Sequence, residues 1–175
     1  MVIWITGISG AGKTTLSVAL YELLKPRLPE LVLIDGDAVR AMFGENLDYS
    51  EASRMVQIKR IQALVHYLAR QGIVVIAAAL YAHPDLLAWN RANLPGYFEV
   101  YIKAPLHLVR ARDPKGLYEK AARGDMPNVV GVDIPWHEPS RPDMVIDATI
   151  SDTPSALARR VAGAVPRLAA ALPRA

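Results

Sequence analysis

The sequence contains no cysteine, so it can form neither a disulfide bond nor a thiolate metal site, and it has no cysteine nucleophile. It also contains no run of about eighteen apolar residues, the length that a membrane-spanning helix needs. The first residues show neither a basic segment nor a cleavage site, so we expect no secretory signal peptide. These absences predict a protein of the reducing cytoplasm that binds no membrane.

Long blocks of like charge are missing as well. The formal net charge is +3 and the pI is near 9.3. Lysines and arginines are interspersed with acidic residues, however, and no five like charges follow one another. We therefore expect no nucleic-acid partner and expect the small positive excess to serve small anionic substrates.

The sequence does contain a regular alternation of strand-like and helical stretches. Its 175 residues suit a single domain. Short hydrophobic runs predict strands at 1–5, 31–34, 73–80, 97–102 and 144–150. Apolar periodicity predicts helices at 14–25, at 50–71 and from 154 onward, the last with Leu157, Val161, Val165 and Leu168 on one side. This order is typical of an α/β three-layer sandwich with a mainly parallel sheet.

A phosphate-binding loop follows the first predicted strand. Residues 7–14, GISGAGKT, match the pattern G-x-x-x-x-G-K-[ST], and a helix follows directly. Backbone N–H groups of such a loop surround phosphate oxygens, the lysine reaches the β- and γ-phosphates, and the hydroxyl after it can bind Mg²⁺. The sequence therefore predicts a nucleoside triphosphate site with Mg²⁺ at Thr14, formed by Gly7, Ser9, Gly10, Ala11, Gly12, Lys13, Thr14 and Thr15. A GTPase or an ATP-driven switch would have the same loop.

Two carboxylates flank a glycine just after the second predicted strand. Asp35 and Asp37 lie at the carboxyl end of the sheet, where folds of this class bind ligands. One carboxylate can hold Mg²⁺, and the other can orient or deprotonate an attacking hydroxyl. An ordinary turn would also contain Asp-Gly, but the position after a hydrophobic strand favours function. Arg40 follows one helical turn later and can anchor an anion.

A basic segment occupies residues 110–124, RARDPKGLYEKAARG. A solvated helix face would explain its charge. Phosphoryl transfer also needs cations against the developing charge, and a closing lid often supplies them. We favour the lid, with Lys115 and Arg112 among its cations.

At this level of detail the chain resembles the adenylylsulfate (APS) kinases, which phosphorylate the 3′-hydroxyl of APS with MgATP. The matching stretches are VIWITGISGAGKTTL, LIDGDAVR, FEVYIKAPL, RDPKGLYEKA and GVDIPWHEPSRPDMVID, spread over residues 2–147. The resemblance implies a P-loop kinase fold, a lid at about 110–135 and a homodimer. It also implies that Asp37 approaches the acceptor hydroxyl, that Asp35 supports it or the Mg²⁺, and that Lys115 and Arg112 serve the lid.

The departures from the family gather on the acceptor side. The family has Asn where this chain has Ala38, and it holds the adenine of APS between two phenylalanines that align with Tyr49 and Val129. Loss of one aromatic wall removes about 1 kcal/mol or more of stacking. The family's Ile-Ser-Pro-Tyr-Arg becomes residues 80–84, LYAHP, so that the serine and the arginine near the anionic end of the acceptor are replaced.

These comparisons set the expected acceptor-binding residues. Arg54 is retained from the family and Gln57 replaces an Asn. The expected set is Arg40, Tyr49, Arg54, Gln57, Tyr81, His83, Lys115 and Val129. The predicted function is transfer of the ATP γ-phosphoryl group to the 3′-hydroxyl of a nucleotide-like acceptor, with a cytidine diphosphoramidate-like compound favoured. A genuine APS kinase is the next reading. A nucleotide-dependent switch or regulatory ATPase and a non-catalytic nucleotide sensor stay open behind it.

Overall fold

The computed structural model describes residues 1–44, 46–81 and 83–173. Within them five parallel strands form one sheet in the order β2-β3-β1-β4-β5. The strands are β1 (Val2–Thr6), β2 (Leu31–Asp35), β3 (Val74–Ala79), β4 (Tyr97–Lys103) and β5 (Met144–Asp147). The helices are α1 (Lys13–Leu24), α2 (Gly36–Met42), α3 (Glu51–Arg70), α4 (Pro84–Asn93), α5 (Leu106–Arg112), α6 (Leu117–Ala122), α7 (Pro154–Ala164) and α8 (Pro166–Ala169).

Helices cover both faces of the sheet. Side chains alternate along β1, so Ile3 and Ile5 enter one core cluster with residues of α1 and α7. Val2 and Trp4 point the other way, into a second cluster with residues of α3 and α4. All four β1 side chains are fully buried, as strands covered on both faces should be. The predicted three-layer α/β fold is confirmed.

Local signals set the helix ends that the sequence predicted best. The Ser50 hydroxyl accepts a hydrogen bond from Ser53 N (3.3 Å) and caps α3. Gly72, with φ 85°, follows the other end of α3, where a left-handed residue favours glycine. Thr153 caps α7 in the same way, accepting from Ala156 N at 3.2 Å.

Two predicted elements end earlier than expected. The last strand ends at Asp147 rather than at 150, because Asp147 Oδ1 accepts a hydrogen bond from Thr149 N (2.9 Å) and closes a turn. The final helix is interrupted at Val165, which is extended (φ −118°, ψ 111°) before Pro166 starts α8. The apolar side was nevertheless placed well, since Val161, Val165 and Leu168 are all buried.

The topology brings the predicted site residues to one edge of the sheet. Because β1, β2 and β3 are parallel, the loops after Thr6, Asp35 and Ala79 leave the same edge. The phosphate loop, the paired carboxylates and Tyr81 thus start from neighbouring strands. Among the described residues, no helix is both long and apolar enough to cross a bilayer.

Candidate active site

The phosphate loop joins β1 to α1 and depends on glycine. A Cβ on Gly7 would lie 2.8 Å from the backbone oxygen of Ile102, which leaves no room for a side chain. Gly12 precedes α1 with φ 104°, a conformation that other residues rarely adopt. No side chain caps the first turn of α1, so its N–H groups are available to an anion.

Lys13 starts α1 and folds back over the loop. Its Nζ donates a hydrogen bond to Ile8 O at 3.0 Å, and the residue is only partly exposed. Burial and, to a smaller extent, the charge of Lys115 together lower the pKa of Lys13 to about 8, against the opposing effect of Asp37 and Asp35. A phosphate beside Nζ would favour the charged form again.

Asp35 and Thr14 present oxygen atoms to the same space. Asp35 ends β2 and caps α2, where its Oδ1 accepts from Asp37 N (2.9 Å) and Ala38 N (3.3 Å). Its Oδ2 lies 3.2 Å from Thr14 Oγ1. A hydroxyl and a carboxylate suit Mg²⁺, which takes few protein ligands and completes its shell with phosphates and water. Accordingly, the described residues contain no cluster of three or more His, Cys, Asp or Glu that could hold a metal alone.

Asp37 and Lys115 join the acceptor side to the basic segment. Lys115 Nζ lies 2.5 Å from Asp37 Oδ2, although 78 residues separate them in sequence. The hydrogen bond to Asp37 raises the pKa of Lys115. Both side chains are exposed, so the pair itself adds little to stability. What it does is place a cation from the basic segment beside the carboxylate expected to orient the acceptor.

Two arginines organise the segment between α2 and α3. Arg40 donates to the backbone oxygens of Leu47 and Asp48, both at 3.1 Å, and its guanidinium lies 4.8 Å from the Tyr49 ring centre. The Arg54 guanidinium lies 5.7 Å from the same ring centre. It donates to Tyr49 O (2.9 Å) and to Asn128 O (2.7 Å). Burial lowers the pKa of Arg54. Tyr49 itself stays 46% exposed and can take a base on its ring.

These parts surround one open cavity of about 1310 Å³. That volume exceeds the usual range for a single small ligand, so donor and acceptor can occupy it together. Its cationic side chains are Lys13, Arg40, Arg54, Lys115 and Lys120, and its carboxylates are Asp35, Asp37 and Asp48. The sequence-predicted residues on its wall are Ser9, Gly10, Gly12, Lys13, Thr14, Thr15, Asp35, Asp37, Arg40, Tyr49, Arg54, Gln57, Tyr81 and Lys115.

Five other predicted residues do not line this cavity. Gly7 and Ala11 belong to the phosphate loop, but both are buried. Val129 is 1% exposed and packs in the core cluster below α1, where an apolar side chain is better stabilised than in a polar cleft. His83 instead caps α4, its Nδ1 accepting from Asp85 N at 3.3 Å. Arg112 donates to Ala148 O (3.1 Å), outside the cavity. The expected acceptor roles of Val129 and His83 thus find no support in where these side chains lie.

Sequence reasoning missed some contributors. Tyr118 donates from its hydroxyl to Ser9 O (3.0 Å) and so fixes the basic segment to the phosphate loop. Glu51 accepts a hydrogen bond from the Tyr81 hydroxyl. Tyr118 lay inside the quoted stretch RDPKGLYEKA, but its partner is 109 residues away and no local pattern marks it. In the sequence, Glu51 cannot be told from the acidic residues that are common in the first turn of a helix. Ala82, in the altered 80–84 stretch, lies outside the described residues.

Comparison with known proteins agrees with this geometry. A family profile described as adenylylsulphate kinase matches residues 1–147. An adenylyl-sulfate kinase of Deinococcus deserti is 42% identical over 143 residues, covering 82% of this chain and 79% of that protein. A cytidine diphosphoramidate kinase of Campylobacter jejuni is 38% identical over 146 residues, covering 83% and 85%.

A solved structure shares the architecture almost throughout. The APS kinase of Mycobacterium tuberculosis, in complex with AMPPNP and APS, superposes with a TM-score of 0.84 at 28% identity. The match covers 94% of this chain and 96% of that one. The similarity therefore extends from the phosphate loop to the acceptor side and the basic segment.

Proposed function

Because the chain belongs to the adenylylsulphate kinase family of ATP-dependent kinases, we propose that it phosphorylates the 3′-hydroxyl of a nucleotide-like acceptor, and that this acceptor is a cytidine diphosphoramidate-like compound rather than APS. The γ-phosphoryl group of ATP is the group transferred. The observation that carries the choice of acceptor is the burial of Val129, which leaves Tyr49 as the one exposed aromatic ring among the described residues of the cavity wall.

The phosphate loop and the carboxylates divide the chemistry between them. Lys13 and the first turn of α1 bind the phosphates, and Asp37 accepts a hydrogen bond from the attacking hydroxyl. Lys115 is hydrogen-bonded to Asp37 in the free protein, and from this position it can stabilise the negative charge that develops on the transferred phosphoryl group. Thr14 and Asp35 would hold Mg²⁺, which neutralises phosphate charge when bound. Residues 110–135 act as the lid, since Lys115 and Lys120 already lie on the cavity wall.

Three features favour a head group and base different from those of APS. The first feature is the exposed ring of Tyr49, which has no aromatic partner at Val129 and therefore suits a base smaller than adenine. Ala38 provides no amide where the family has Asn. Pro84, which aligns with the family's arginine, is the first residue of α4 and carries no charge.

A second candidate is a genuine APS kinase. The relative from Deinococcus deserti bears that name, and Arg40 and Arg54 both remain on the cavity wall to bind an anionic acceptor. A cytoplasmic location and a homodimeric state remain predictions of the family resemblance.

Acceptor-dependent ADP release tests the proposal. With MgATP, we expect turnover with cytidine diphosphoramidate, little with CDP or APS, and none without acceptor. Rapid turnover with APS alone would make the second candidate the function. Acceptor-independent hydrolysis would favour a switch or regulatory ATPase.

The Asp37→Ala variant tests the mechanism. We expect turnover to fall by about 10²- to 10⁴-fold, the usual contribution of a positioned acid or base. AMPPNP binding should stay within about twofold when measured at pH 6, where Lys13 keeps its charge even without the pKa-raising effect of Asp37. Asp85→Ala, an exposed aspartate outside the cavity, serves as the control. Retained turnover in Asp37→Ala would remove Asp37 from this role.

A further inference from the structure

The cavity has one end whose hydrogen-bonding character is unusual, at Tyr81. Tyr81 follows β3 after one residue, lies on the cavity wall and is only 3% exposed. Its hydroxyl donates a hydrogen bond to Glu51 Oε1, at the first turn of α3. Burial raises the pKa of Tyr81, and the bond to Glu51 adds to the effect, so the phenol stays protonated. The single phenolic hydrogen is therefore committed to Glu51.

A committed hydrogen changes what Tyr81 can offer a ligand. A phenol has one donor hydrogen and lone pairs that accept, so only the lone pairs remain. Glu51 adds a full negative charge behind them. The lone pairs of Tyr81 and the carboxylate of Glu51 would both repel a ligand oxygen that carries negative charge, whereas both would attract a ligand N–H group.

Gln57 gives a second, independent sign of the same character. Its Nε2 donates to Gly36 O at 3.1 Å, while its Oε1 is buried and has no hydrogen-bond partner among residues 1–44, 46–81 and 83–173. The side chain is 5% exposed and lies on the cavity wall. A buried oxygen without a partner costs free energy unless a donor reaches it. The cavity wall thus includes, besides Tyr81, a buried acceptor that has no donor among the described residues.

The charge of Arg54 acts on Tyr81, but two of the three guanidinium nitrogens already donate hydrogen bonds to the backbone. Arg54 donates from Nε to Tyr49 O and from Nη2 to Asn128 O, so its fork is largely held by the backbone. Arg40 donates to the backbone oxygens of Leu47 and Asp48. The lysines of the cavity, at 13, 115 and 120, belong to the phosphate loop and the lid. The phosphate loop and the lid therefore bind the phosphates, and the part of the cavity at Tyr81 can bind a group of different chemistry.

Building on the proposed function, we propose that Tyr81, positioned by Glu51, makes the acceptor site selective for a head group that donates a hydrogen bond. The N–H of a terminal phosphoramidate is such a group, and a terminal sulfonate or phosphate oxygen is not. Tyr81 is then the specificity-determining residue of the head-group end, and Glu51 fixes the direction of its hydroxyl. The selectivity concerns the head group alone and is independent of the base.

The head-group selectivity is tested by the binding of ligand pairs that share a base and differ in the head group. Isothermal titration calorimetry of the full chain saturated with Mg–AMPPNP would compare CDP with its terminal amidate, and APS with the terminal amidate of ADP. Each pair keeps its base and changes only the head group. We expect the wild type to prefer the amidate of each pair by about three- to tenfold, the usual scale of a hydrogen bond between neutral groups.

Two variants separate the hydroxyl from its orientation. Tyr81→Phe removes the lone pairs, and the preference should fall to within about twofold. Glu51→Gln keeps the shape but removes the charge and can donate to the phenol, which frees the phenolic hydrogen for the ligand. The preference should then shift towards the sulfonate or phosphate. Glu22→Gln, an exposed glutamate on α1, removes the same charge away from the cavity and should change nothing.

The outcomes distinguish this head-group selectivity from the proposed function. A ratio that is unchanged in both variants, or a wild type that prefers the terminal sulfonate or phosphate to the amidate, overturns this head-group selectivity, whichever base binds better. Better binding and turnover of the adenosine pair overturns the cytidine acceptor but leaves the ratio test intact. A merely structural role of Glu51 would weaken both members of a pair equally and leave the ratio unmoved. Glu51 is exposed, so Glu51→Gln carries the test even where Tyr81→Phe does not fold.

Discussion

Nucleotide binding should depend on pH through Lys13. Burial lowers the pKa of this lysine to about 8 in the free protein, so the side chain loses its charge as the pH rises through that value. Bound phosphates favour the charged amine and raise its pKa again. Below pH 8 the charge is already present, and above pH 8 binding must first take up a proton. Affinity for the nucleotide should therefore decrease as the pH rises.

The size of the effect follows from the position of the pKa. Between pH 7 and pH 9 the dissociation constant of Mg–AMPPNP should increase by about tenfold, because the charged fraction of Lys13 in the free protein falls from about nine-tenths to about one-tenth. At pH 8 about half a proton should be taken up for each nucleotide bound. Isothermal titration calorimetry in buffers of different ionisation enthalpy measures both quantities.

Two lysine variants make this test specific. Lys13→Arg keeps its charge throughout the range, so its affinity, whatever its absolute value, should not change with pH. Lys103→Arg alters an exposed lysine paired with Glu138 and should keep the wild-type profile. A wild-type dissociation constant that is flat from pH 7 to 9, without proton uptake, would refute the assignment of a lowered pKa to Lys13.

Further predictions concern the lid and the loop. Lys115→Met should lower kcat by about 10²- to 10³-fold while AMPPNP affinity stays near that of the wild type, because the cation acts on developing charge; equal losses in kcat and affinity would contradict this. Gly7→Ala should destabilise the protein by about 1–3 kcal/mol in denaturant unfolding, since its Cβ would lie 2.8 Å from Ile102 O. Gly163→Ala, in α7 with open space around it, should instead stabilise by about 0.5–1 kcal/mol.

The fold could be predicted because its signals are local. A continuous hydrophobic run such as that of β3 has one low-energy place, at the centre of a covered sheet. Ser50 and Gly72 mark the ends of α3 by their own hydrogen bonds and φ angles. Errors arose where a turn competed with a strand pattern. At Asp147 a carboxylate bonded to the backbone two residues on and ended β5 early.

The donor half of the site was predictable for the same reason. Eight consecutive residues, 7–14, carry it, and their spacing alone fixes where a phosphate binds. No sequence motif of this kind marks the residues of the acceptor half. Whether Val129 faces the cavity or the core depends on how the 123–134 stretch packs, and an apolar side chain gains more from the core. His83 was assigned by alignment to a substrate position, but a residue before a proline-initiated helix is also well placed to cap it.

The difference in how the two halves are built bears on how the acceptor can change. The donor site is one loop tied down by Tyr118 and by the sheet edge, so a substitution there disturbs every interaction at once. The acceptor site is assembled from separated parts of the chain, including the start of α3 and the residue after Leu80. A pair such as Tyr81 and Glu51 can arise there without touching Lys13, Thr14 or Asp37. An intact donor half beside an altered acceptor half is therefore what a kinase with a changed acceptor should look like.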